Sequence, residues 1–242
     1  AIQLSWLSHF CRASDSRKTF EWLLGMMRES YEIDEKMPHN WGRFHSLAED
    51  LAKNKPEWLA GGLAAIIRAK GRLKPKSSYE LLCAENISSE LISPAVSRAP
   101  RAFIEQVLPS IEEAVRCGLV QSFGTWSEYD TRSTGTLHYV SPDEALFTSL
   151  ILSLYAMLRV DREYALRTLG QLRDSDLFPM RRLHAAALCQ DDEVCAPLAV
   201  DFLTKGLNAF STFYKGELAA CELLKVHAGR MTEIQLRLIE TA

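Results

Sequence analysis

Two stretches of the sequence, 51–63 and 95–107, share one arrangement: the end of a helix-like segment, a short polar turn, and a proline that opens the next segment. The prolines are Pro56 and Pro100. Proline suits the first turn of a helix, where its missing amide hydrogen would have no partner. Apolar side chains follow three and seven positions after each proline, at Leu59, Leu63, Phe103 and Val107. Such spacing places them on one helix face, so each stretch predicts two helices joined by a tight turn.

Looser versions of this unit occur at 157–164 and 187–194, where aspartate replaces proline as the signal for a helix start. A helix pair with one apolar face must stack on its neighbours to bury that face. The separations between units are irregular, so the chain is not a strict repeat of about 34 residues. We expect an all-α fold in which antiparallel helix pairs stack as an irregular α-solenoid. A globular helical bundle with unrelated proline starts is the alternative.

Composition also favours helices. The chain of 242 residues contains 34 Leu and 26 Ala but only 12 Gly, and clean alternation typical of strands is absent. The expected helices lie near 3–12, through Phe20 to Met27, and near 41–53, 56–71, 78–84, 88–98, 100–117, 142–159, 162–173, 179–189, 193–205, 216–228 and 231–241.

The segment 118–141 is the one long insertion that is expected to be non-helical, because it is rich in Gly, Ser and Thr. It divides the chain into N-terminal helical repeats (1–117), an insertion or linker (118–141) and C-terminal helical repeats (142–242). Aromatic side chains on a polar loop are frequent hot spots of interfaces. The candidate partner-binding residues are therefore Trp126, Tyr129, His138 and Tyr139. The alternative is that they cover the gap between the two helical halves.

A basic patch occupies a helix end and the following connector, with five positive charges in nine residues: Arg68, Lys70, Arg72, Lys74 and Lys76. Part of it complements the dipole of a helix C-terminus. The rest could contact a phosphate backbone, which makes nucleic-acid binding the second hypothesis. A solvated connector is the simpler interpretation, since only Tyr79 adds an aromatic ring nearby.

No catalytic signature is recognisable in the chain. It contains neither a phosphate-binding Gly-x-x-x-x-Gly-Lys-Ser/Thr loop nor a Gly-x-Ser-x-Gly elbow. The residues of each pair, His39/His45 and Cys189/Cys195, are six positions apart, which does not fit the spacing of zinc ligands. His184 is expected to be a half-buried helix residue that makes one hydrogen bond. We therefore expect no enzyme activity, no cofactor and no metal, with a helical enzyme of unrecognised type as a further alternative.

The sequence features indicate a cytoplasmic protein without a membrane role. The formal net charge is −3, and the longest uncharged stretch, 145–158, is too short to cross a bilayer and predicts a buried helix. The six cysteines are expected to be buried free thiols: Cys11, Cys83, Cys117, Cys189, Cys195 and Cys221. Because the chain opens without methionine or a secretory signal, we expect it to be part of a longer polypeptide.

The stretch 95–109 resembles the helical repeats that follow the ATPase core in bacterial STAND-type NTPases, and 51–63 and 181–187 are similar to them. HEAT and tetratricopeptide repeats are similar in a less specific way. In STAND proteins such repeats sense a ligand or a protein and release the ATPase for oligomerisation, often in defence against phage. The resemblance implies a sensor or scaffold region of a larger bacterial protein that recognises a protein partner. It transfers no functional residue, because these repeats have no fixed functional motif.

Overall fold

Helices provide the regular secondary structure wherever the computed structural model describes the chain. The described residues are 16–22, 24–25, 42–72, 89–117, 142–190, 193–206 and 214–241. Within these ranges no residue belongs to a β-strand. The predicted all-α class is therefore confirmed for this part of the chain. The insertion predicted at 118–141 and the helices predicted near 3–12 and 78–84 lie outside the described residues.

The helix bounds follow the sequence pattern closely. A helical stretch at 17–22 and 24–25 precedes α1 Gly42–Asn54, α2 Pro56–Arg72, α3 Ser89–Arg98 and α4, which consists of Pro100–Ala102, the π-helical turn Phe103–Val107 and Leu108–Arg116. Next come α5 Pro142–Val160, α6 Arg162–Arg173, α7 Phe178–Leu188, and α8 Cys195–Asp201 with its π-helical turn Phe202–Gly206. The last are α9 Tyr214–His227, a 3₁₀ turn Ala228–Arg230, and α10 Glu233–Thr241.

The two π-helical turns are a difference from the sequence prediction, which expected uninterrupted α-helices over 100–117 and 193–205. Each turn begins at a buried phenylalanine, Phe103 or Phe202. Over a single turn, apolar residues four positions apart lie on one side of either helix type, so the spacing does not distinguish them.

The described residues form two compact units, and the division falls within α5 between Ser153 and Leu154. The first unit contains the helical stretch at 17–25 and α1 to α4. The second contains α6 to α10. The domain boundary predicted over 118–141 stays a prediction.

Helix α2 is central to the first unit, where it contacts α1, α3 and α4. The apolar side chains that follow the two prolines have no exposed surface, and these are Leu59, Leu63, Phe103 and Val107. Burying one such side chain contributes about 1.5–3 kcal/mol, so this seam is a main source of stability in the unit.

The side chains of Gln106 and Phe20 occupy the space beside Gly61 of α2. A Cβ at this position would lie 2.8 Å from Oε1 of Gln106, in the π-helical turn of α4, and 3.5 Å from Cε1 of Phe20. The side chain of Arg98 adds a polar link at the other end of the unit, where it donates to the carbonyl oxygen of Lys53 in the last turn of α1. Such a donor satisfies a helix-end carbonyl group that has no partner within its own helix.

Helix α7 is central to the second unit, where it contacts α6, α8 and α9. Its buried side chains Leu183 and Leu188 are fully covered, as are Leu203 of α8 and Leu223 of α9. Three consecutive alanines, 185–187, keep one part of α7 narrow enough for neighbouring helices to approach.

The longest uncharged stretch, 145–158, forms most of α5 and is largely buried, as predicted. Its buried serines bond to the backbone of the same helix: Ser149 Oγ donates to the Leu146 carbonyl and Ser153 Oγ to the Ser149 carbonyl, each at 2.7 Å. Among the helices that the structure describes, none has both the length and the apolar character required to cross a bilayer.

Aspartate starts α6, as the sequence pattern predicts. Asp161 is the N-cap residue, and its Oδ1 accepts a hydrogen bond from the Tyr164 amide at 3.2 Å. Prolines occupy the first positions of α2 and of α4. At these three helices both start signals act as expected. The aspartate side chain accepts a hydrogen bond from a backbone amide that has no partner in the helix, and proline has no amide hydrogen that would need one.

We predict that Asp161→Ala lowers the free energy of unfolding by about 1 kcal/mol, because the Tyr164 amide loses its acceptor. Asp161→Asn is the matched control, since its side-chain oxygen can still accept that bond. Urea denaturation followed by circular dichroism measures both variants. Equal stability of the alanine and asparagine variants would show that the cap contributes nothing.

Candidate functional site

The partner-binding residues predicted from the sequence, Trp126, Tyr129, His138 and Tyr139, lie outside the described residues. The structure therefore neither brings them together nor separates them, and their role stays a prediction.

The basic patch is described only where it overlaps α2. Arg68 is exposed on this helix. Lys70 and Arg72 belong to the last turn of α2, although their side chains are not described, and Lys74 and Lys76 lie outside the described residues. The positive charges in the helix are thus next to its C-terminus, where they complement the negative end of the helix dipole.

Large apolar side chains are exposed at four described positions. They are Trp22, Val160, Ile234 and Leu238, which are 58%, 78%, 74% and 53% exposed. Single exposed apolar residues are normal on a protein surface. Ile234 and Leu238 are different because they are four positions apart on α10 and therefore form one stripe.

The sequence analysis missed this stripe. Helix α10 has apolar residues at 234, 236, 238 and 239, which is more than one face of a nine-residue helix. Apolar residues on two sides of a helix are the sequence pattern that would have revealed the exposed stripe of Ile234 and Leu238.

An aromatic stack joins the helical stretch at 17–25 to α2. The rings of Phe20 and Trp58 stack with centroids 4.8 Å apart, and Nζ of Lys55 lies 4.3 Å from the Trp58 ring centroid. Phe20 is buried and Trp58 is half-buried, so the stack mainly attaches this stretch to the first unit. Trp22, two positions after Phe20, is the exposed aromatic side chain of the stretch.

His184 is the most perturbed titratable group of the second unit. It is buried rather than half-buried as expected, and it makes the one predicted hydrogen bond, from Nδ1 to the Leu169 carbonyl of α6 at 2.9 Å. A carbonyl oxygen only accepts, so Nδ1 holds the proton. The ring contacts Phe202 at a centroid distance of 5.3 Å, and Nε2 is buried with no hydrogen-bond partner.

Burial lowers the pKa of His184 to about 4, although its bond to the Leu169 carbonyl opposes that change. The nearby charges are Arg173, which lowers this pKa, and Asp174 and Asp201, which raise it. Arg173 pairs with both carboxylates on the surface, at 2.8 Å and 3.3 Å. The imidazole is therefore neutral at pH 7 and covered by protein, so it joins α6 to α7 and is not presented to a solute.

A second buried histidine has a similar arrangement. His227, at the end of α9, bonds through Nε2 to the Leu188 carbonyl at 2.6 Å, and its Nδ1 is buried without a hydrogen-bond partner. The carbonyl lies at the C-terminus of α7, where no amide of that helix is available. The two histidines thus connect α6 to α7 and α7 to α9.

The expectation that the cysteines are buried is wrong for three of those described. Cys117 and Cys221 are exposed, Cys189 is half-buried, and Cys195 is buried, all as free thiols. Cys117 follows the last turn of α4, and Cys221 lies on the outer side of α9, so helical spacing alone did not reveal their exposure. Among the described side chains, no group of three or more His, Cys, Asp or Glu residues could hold a metal ion.

Comparison with known proteins gives no match. No protein-family model matches the chain, and no curated protein or solved structure matches it at a significant level.

We predict that acid destabilises the second unit through His184. Its pKa is about 4 in the folded chain and 6.5 in the unfolded chain, so below pH 6.5 the unfolded state binds the additional proton. Stability should fall as the pH decreases from 6.5 to 4, by about 3 kcal/mol in total. Urea denaturation at intervals across this range measures the change.

The matched variant is His184→Gln, which can still donate to the Leu169 carbonyl but does not titrate. We expect the difference in stability between the wild type and this variant to shrink or reverse on acidification. A difference that stays constant from pH 7 to pH 4.5 would contradict the assigned cause.

Proposed function

We propose that the chain is a non-catalytic helical-repeat module that recognises a protein partner. The proposed architecture is an irregular α-solenoid of antiparallel helix pairs, and the proposed role is that of a sensor or scaffold region in a larger bacterial protein of STAND type. The repeated helix–turn–helix pattern of the sequence supports this proposal, together with one observation from the structure.

The observation that carries the proposal is the order in which helices pack. In the first unit the closely packed pairs are α1 with α2 and α3, α2 with α3 and α4, and α3 with α4. In the second unit they are α6 with α7, α7 with α8 and α9, α8 with α9, and the π-helical turn of α8 with α10. Each pair joins helices that are adjacent or next-but-one in the chain. Stacked helix pairs give this order, since each repeat contacts only its neighbours.

Solenoids use their extended surfaces to bind other proteins. We assign the main contact to the aromatic residues of 118–141, because tryptophan and tyrosine supply large contact area with little loss of conformational freedom. A partner that binds there would be recognised by packing and hydrogen bonding, without a chemical step.

We predict that replacing Trp126 and Tyr129 together by alanine weakens partner binding at least about 30-fold, the effect of losing about 2 kcal/mol at a hot spot. Affinity purification of the tagged chain from its native host, with quantitative mass spectrometry, identifies the partner. Titration of the purified partner then gives Kd for each variant.

Trp22→Ala is the matched control, because it removes an exposed tryptophan elsewhere on the chain. Binding should be retained in this control. Equal binding by the Trp126→Ala/Tyr129→Ala variant would reject the proposed surface, and no partner enriched above an unrelated helical protein would reject the proposed function. The gene sequence on either side of this chain tests whether the chain is part of a STAND-type protein, because such a protein requires a phosphate-loop ATPase.

The alternative function is nucleic-acid binding through 68–76, which is favoured by the exposed Arg68 beside the basic end of α2. If the five charges of this segment contact phosphates, the logarithm of the binding constant should fall against the logarithm of salt concentration with a slope of about −4 on duplex DNA. Fluorescence anisotropy with a labelled duplex between about 50 and 200 mM salt measures that slope.

Arg68→Glu should weaken such binding and make the slope shallower. Arg167→Glu is the control, since Arg167 is an exposed arginine in the second unit. Absence of binding, or binding that does not depend on salt, would eliminate this alternative.

A further inference from the structure

We draw no further inference here: the strongest candidate, the exposed apolar stripe of Ile234 and Leu238 on helix α10, carries none because nothing in the structure shows what covers it.

Discussion

The structure depends on one constraint: each helix has an apolar face that it cannot bury alone, and the nearest available cover is a helix adjacent or next-but-one in the chain. In the first unit, Leu59 and Leu63 of α2 and Phe103 and Val107 of α4 are fully buried in this way. Gly61 leaves room for the side chain of Gln106, which belongs to the π-helical turn of α4. Among the described helices of each unit, the closest packing therefore joins helices that are adjacent or next-but-one in the chain.

The second unit meets the same constraint and adds buried polar links. His184 and His227 each bond to a carbonyl of another helix, and each keeps one ring nitrogen buried without a hydrogen-bond partner. Each ring satisfies one carbonyl at the cost of burying a nitrogen that has no hydrogen-bond partner. The gain is orientation, because a directional bond fixes how neighbouring helices are placed where apolar packing alone allows sliding.

Surface features follow from which faces remain uncovered. Exposed ion pairs one helical turn apart, such as Arg17–Glu21 and Arg101–Glu105, keep most outer faces polar and contribute little stability each. Helix α10 has such a pair as well, Glu233–Arg237, but its outer side also exposes Ile234 and Leu238.

The sequence by itself determined the helical class and the helix bounds, because proline at α2 and α4 and the Asp161 cap act within a few residues of the helix start. It also identified the apolar faces that contain Leu59, Leu63, Phe103 and Val107, since a face follows from spacing alone. Only the tertiary structure decided the π-helical turns, the full burial of His184, the exposure of Cys117 and Cys221, and the open side of α10. These depend on which neighbouring helix covers a given face. Periodicity shows that a face is apolar, but contact between distant parts of the chain decides whether it is covered.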